Sequence, residues 1–143
     1  MRASIPLRSI FAATRCTSGR NQRGMDHFEH EGLDVYKTAI QFLSIADQII
    51  DALPRGRSHL ADQLARAATS IVLNIAEGAR EFAAAEKARF YRIARRSATE
   101  CAAILDVCAA LRIADHAPLA ASRDLLLRVV AMLTRMVLSA SAR

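Results

Sequence analysis

The chain has no tryptophan, and phenylalanine and tyrosine together supply only 5% of its 143 residues. Apolar residues still make up 52%, so the core must be built from Ala, Leu, Ile and Val, a helical composition. Cysteine is sparse as well, with three residues and no Cys-x-x-Cys pair. Cys101 and Cys108 are seven positions apart on one expected helix, about 10 Å along its axis, too far to be joined to each other. Both fall on the apolar side, where free thiols are inert, and Cys16 lies in the N-terminal stretch. This usage fits a reducing cytoplasm. No apolar run reaches the roughly 18 residues that span a bilayer, so the chain is expected to be soluble.

The patterns of catalytic and metal sites are missing too. No Glu-x-x-His occurs, which excludes the di-iron arrangement of helical bundles. His-Glu-x-x-His, zinc-ligand spacing and a glycine-rich phosphate loop are also absent. Asp26-His27-Phe28-Glu29-His30-Glu31 gathers acids and imidazoles, but no second motif completes it, and it reads as a solvated lead-in to a helix. No nucleophile, base and orienting group can be assembled. The protein is therefore expected to be non-enzymatic and to hold no metal or cofactor.

Acids are absent from the first 24 residues, which carry Arg2, Arg8, Arg15, Arg20 and Arg23. The net charge of +6 comes from 20 basic and 14 acidic side chains, so the rest of the chain holds 15 against 14, or +1. Global basicity is thus weak support for a nucleic-acid partner. Residues 1–24 have three readings: an over-extended start with Met25 as the initiator, a disordered basic arm touching nucleic acid, or a targeting segment. The folded domain is expected over residues 25–143.

Four helical segments follow. The first runs from Leu33 to Leu53, with Val35, Tyr36, Ala39, Phe42, Ala46 and Ile49 on one face, and stops before Pro54. A tight Pro54-Arg55-Gly56-Arg57 turn makes the next helix an antiparallel neighbour. That second helix is expected from Ser58 as its N-cap to Gly78 as its left-handed stop. Leu60, Leu64, Ala67, Ala68, Ile71, Val72 and Ile75 form its apolar arc, and Gln63, Arg66, Ser70, Asn74 and Glu77 form a narrow polar row. Leu73 interrupts the polar half.

The third segment covers Ala83 or Ala84 to Leu111, with Phe90, Ile93, Ala94, Cys101, Ile104, Leu105 and Cys108 inward. Ser97 sits within that arc, where a small residue permits close approach and the hydroxyl can bond back to the preceding turn. Arg89, Arg92, Arg95 and Arg96 occupy the opposite side, either as a solvated face or as a phosphate-contacting stripe. The fourth segment, Leu119 to Ser139, has a polar arc of Asp124, Arg128 and Arg135 spanning only about 40°. An outer helix needs an apolar stripe of about 100°, so the surplus argues for self-association.

Register counting across the second turn pairs positions summing to about 164, which brings Arg66 near Glu100 and Ser70 near Ala94 or Ser97. An Arg66–Glu100 ion pair is expected to fix that register, with Asn74 and Glu77 ordering the end of the second helix. The alternative is that Arg66, Asn74 and Glu77 face water.

Leu33, Val35, Tyr36, Ala39, Leu53-Pro54, Gln63, Arg66-Ala67-Ala68, Ser70-Ile71, Asn74-Ile75-Ala76-Glu77-Gly78, Arg89-Phe90-Tyr91, Ile93-Ala94-Arg95, Ser97 and Glu100 together form a compound motif. It resembles that of the proteins named after intervening sequences of bacterial large-subunit ribosomal RNA genes. That family includes relatives of the accessory protein of diversity-generating retroelements. The resemblance covers roughly residues 33–111 and departs at Arg96, where the family usually has glycine. It implies a four-helix bundle that assembles as a pentameric ring, and it places Arg66, Ser70, Asn74, Glu77, Ser97 and Glu100 within the family pattern.

The reading is an all-α, antiparallel up-down-up-down four-helix bundle. Its expected function is that of a non-catalytic homo-oligomer that associates through its last helix and binds RNA or DNA through Arg89, Arg92, Arg95 and Arg96. The alternative is a protein-binding adaptor or structural module with no nucleic-acid role.

Overall fold

The computed structural model describes residues 27–143, so the readings placed on residues 1–24 lie outside the described residues. A 3-10 turn at Glu29–Gly32 leads into four α-helices: α1 Asp34–Ala52, α2 Ser58–Arg80, α3 Ala84–Ala110 and α4 His116–Ser141. No strand occurs among the described residues. Each helix packs on two neighbours in the cycle α1-α2-α3-α4, and the diagonal pairs do not meet.

Side-chain pairs give the directions. Ser70 meets Ser97, and Gly78 lies against Phe90 and Tyr91, so numbering falls on α3 as it rises on α2. Arg95 meets Thr134 and Asp106 meets Arg123, which makes α3 and α4 antiparallel in the same way. The start of α1, the α2–α3 turn and the end of α4 border one cleft. The helices therefore run up, down, up and down.

The core is aliphatic. Phe42, Leu64, Ile71, Ile75, Val129 and Leu133 are fully buried, together with Cys101 and Cys108, which are both free thiols. Alanine at positions 39, 46, 68, 94 and 98 is buried to 0% exposure and lets the helices sit close. On α3 the buried ring is Tyr91 rather than Phe90, which is half-buried. The two positions are about 100° apart on the helix, and the tyrosine also lines the cleft at the helix start.

Helix boundaries depart from the expected ones at two caps. Ser58 is the first helical residue of α2; Arg57 precedes it and makes no side-chain bond to the helix, and the residues before α1, α3 and α4 make none either. Gly78 does not end α2, which continues to Arg80. The left-handed glycine is Gly56, with φ of 87° in the turn after Pro54. At the end of α3 the left-handed residue is Arg112, with φ of 54°. Its N–H donates to the Ala109 carbonyl and that of Ile113 to the Cys108 carbonyl, the double bond pattern that closes a helix.

The bundle covers more of α4 than the sequence pattern suggests. Its buried residues, Ser122, Leu126, Val129, Leu133, Val137 and Ala140, fall within an arc of about 80° at 100° per residue, as an ordinary outer helix requires. Leu125, Val130, Met132 and Met136 are half-buried on its flanks. The remaining apolar surplus is an outward strip with Leu127 at 58% and Leu138 at 65% exposure.

Ser122 is fully buried, and its Oγ has no hydrogen-bond partner among the described residues. Such a group retains the desolvation penalty of about 1–3 kcal/mol without a compensating bond. Ser122→Ala should therefore stabilise the protein by about 1 kcal/mol, read as a higher urea midpoint at unchanged m-value. A lower midpoint would mean that the hydroxyl is bonded in solution.

Candidate functional site

The polar row of α2 and the flank of α3 meet along one line. Ser70 Oγ lies 2.8 Å from Ser97 Oγ. Asn74 Nδ2 donates back along α2 to the Ser70 carbonyl at 2.8 Å and to Ser70 Oγ at 3.1 Å. The Ser97 hydroxyl thus bonds across to α2, not to the preceding turn of its own helix, and at 8% exposure it is shielded by both helices. This serine contact, between positions that sum to 167, sets the register that counting had placed within three positions.

The expected Arg66–Glu100 ion pair does not form. The two side chains are exposed and border the same cleft of about 330 Å³ with Gln63, Ser70 and Ser97, but they come no nearer than the 4.0 Å ion-pair limit. At such an exposed site the attraction is worth less than about 1 kcal/mol, too little to hold two long side chains across an open cleft. Glu77 is exposed, and its side chain makes no hydrogen bond among the described residues. It contributes to the end of α2 through its carbonyl, which accepts from Glu81 N–H.

The four arginines of α3 divide in two. Arg89, Arg92 and Arg96 are exposed and share an arc of about 60° at 100° per residue. Arg95 turns toward α4, half-buried, and donates to Thr134 Oγ1 at 3.4 Å. Arg89 is held by Glu86 at 3.1 Å and lies 5.9 Å from the Phe90 ring centroid. Arg92 and Arg96 are in no ion pair among the described residues. They are one turn apart, close enough to repel slightly and to accept a shared polyanion.

A larger cleft of about 650 Å³ opens at the end of the bundle where α2 turns into α3. Leu33, Phe82, Tyr91, Met132 and Met136 supply apolar lining, with Lys87, Arg135 and Arg143 also on its walls. Lys87 Nζ donates to the Ala79 carbonyl at 3.4 Å, closing the end of α2. Phe82, in the turn itself, is 96% exposed. Sequence reading passed over it, although a lone aromatic in the polar Arg80-Glu81-Phe82 connection of an aromatic-poor chain is the available signal.

Burial raises the Tyr91 phenol, reinforced by the charge of Glu29, and raises the Tyr36 phenol, reinforced by Glu31. Neither is poised to act as a base near neutral pH. Among the described residues no group of three or more His, Cys, Asp or Glu could hold a metal ion, and His27 instead lies 3.4 Å from Glu31. No helix of the described residues is long and apolar enough to cross a membrane.

Comparison with curated proteins gives no significant match. A family profile matches residues 31–135, from the 3-10 turn through most of α4. The match takes in both the serine contact and the arginine row, and by it the chain belongs to the 23S rRNA-intervening sequence protein family.

Proposed function

We propose that the protein is a non-catalytic, self-associating bundle that binds RNA or DNA through phosphates on the outer face of α3. The observation that carries this reading is the pair Arg92 and Arg96, exposed, one turn apart and joined to no carboxylate among the described residues. Planar guanidinium groups on flexible stems, set in a row, suit phosphate oxygens and read no sequence. Self-association, as a pentamer by the family resemblance, would repeat the pair and raise avidity without new contacts. Leu127 and Leu138, at 58% and 65% exposure on the outward strip of α4, are the apolar groups available for it.

The non-catalytic reading is supported by the inner chemistry of the α2–α3 cleft. Its two hydroxyls bond to each other and, among the described residues, neither is hydrogen-bonded to an imidazole or to the Glu100 carboxylate that borders the same cleft, so neither serine is paired with an activating base. Buried free Cys101 and Cys108 suit a reducing cytoplasm.

Salt dependence tests the reading. The logarithm of affinity should fall steeply with the logarithm of salt concentration, and Arg92→Glu/Arg96→Glu should flatten that slope by about 0.7 per lost single-strand contact. Because the full chain keeps its arginine-rich first 24 residues, the difference between the two proteins isolates the α3 pair. Equal slopes would remove the phosphate role and favour the adaptor reading, which rests on exposed Leu73, Leu127 and Leu138.

A further inference from the structure

We propose that the end of the bundle where α2 turns into α3 is a stacking platform for unpaired bases, so that the protein prefers single-stranded nucleic acid to duplex. This rests on the phosphate-binding reading above and adds what the bases would touch.

The chain has only five phenylalanines and two tyrosines. Of those described, Phe42 at 0% and Tyr91 at 4% exposure are buried in the core, and Phe42 does not line the end cleft. Phe28, Tyr36, Phe82, Phe90 and Tyr91 all gather at one end. Phe28 stacks on His30 with ring centroids 5.7 Å apart and an interplanar angle of 12°, and His30 meets Tyr36 at 4.6 Å. Phe82 and Tyr91 share the end cleft with the start of α1. Phe90 Cβ lies beside Gly78, near the end of α2.

Two of these rings are left to solvent, Phe28 at 73% and Phe82 at 96% exposure. A ring so exposed contributes almost nothing to folding, since its apolar area stays in water. The arginine row starts at the same end: Arg89 and Arg96 are about 8 and 18 Å along α3 from its first residue. The Arg89 guanidinium already lies near the Phe90 ring.

Exposed rings at the end of the bundle from which a row of cations runs supply the two components of single-strand binding. Bases stack on the rings whatever their identity, and the phosphates follow the charge. A duplex keeps its bases stacked on one another and offers these rings little. The arginines favour a polyanion over an apolar protein segment or a second copy of the chain, which Phe82 alone would equally suit.

The absence of tryptophan makes the test direct. In the full chain, Phe82→Trp introduces the only indole. A single-stranded oligonucleotide should quench its emission, and a duplex of the same sequence should not. Phe82→Ala should weaken single-strand binding about tenfold and leave duplex binding unchanged; at 96% exposure the change cannot unfold the protein. If Phe82→Ala and Phe28→Ala bind single strands as the parent does while Arg92→Glu/Arg96→Glu does not, stacking is refuted and phosphate binding stands. If no nucleic acid binds the parent chain, both readings fall. If Phe82→Ala lowers the molar mass seen by light scattering without changing single-strand affinity, Phe82 is a contact between copies and the proposal is overturned.

Discussion

Replacing Gly78 by alanine is expected to destabilise the protein by about 1–3 kcal/mol, although alanine is the better helix former by about 1 kcal/mol. The reason is space. A Cβ at this position would lie 2.6 Å from Tyr91 Cε1, 2.8 Å from Tyr91 Cδ1 and 3.2 Å from Phe90 Cβ. Tyr91 is only 4% exposed, so its ring has little room to swing away, and α2 and α3 must part or the ring must leave its rotamer. The larger Gly78→Leu should cost more. A thermal or urea melt of Gly78→Ala, Tyr91→Ala and the double variant checks the cause, since removing the ring makes room for the methyl. The paired loss should then be smaller than the sum of the single ones. Additive losses would locate the strain elsewhere.

Alkaline destabilisation is the second large effect. Burial, with the charge of Glu100 as the lesser cause, pushes the Cys101 thiol from its ordinary 9.0 up to about 12. The sign follows from which state releases its proton first. Below pH 9 the thiol is protonated folded and unfolded, and it contributes nothing to the pH dependence. Between about 9 and 12 the unfolded chain ionises while the folded one does not, so stability falls by about 1.4 kcal/mol per pH unit. Burial also raises Cys108, Tyr36 and Tyr91, and each steepens the loss in the same direction. Urea midpoints measured from pH 8 to pH 11 should fall more steeply for the parent than for Cys101→Ala. Comparing slopes rather than absolute values cancels the small cavity that the substitution leaves. Parallel slopes would show that the thiol ionises as freely in the fold as outside it.

The helices and their buried faces were legible because apolar side chains recur at the helical period over four long segments. The expected starts and stops lie within a few residues of α1 to α4. What escaped the sequence depends on the neighbouring helix. Gly78 after a helical stretch reads as a terminator, and only the Tyr91 ring reveals it as the point where two helices nearly touch. Counting along the axes put Arg66 and Glu100 at the same level, and both do border one cleft, but such counting says nothing about how far the helices stand apart there. The arginines of α3 were visible as a group. That Arg95 would turn to Thr134 while Arg92 and Arg96 stayed outward depends on where α4 lies. Phe82 carries no periodic signal at all, because a turn has no period.

None of the four helices opens with a side-chain bond to its own first turn. A peptide excised from any one of them, 19 to 27 residues long, would have no capping bond to help it start winding and would lose the tertiary packing that supplies most of a helix's stability. Coil-to-rod conversion in this protein is thus largely a collective event: each rod draws most of its stability from its neighbours.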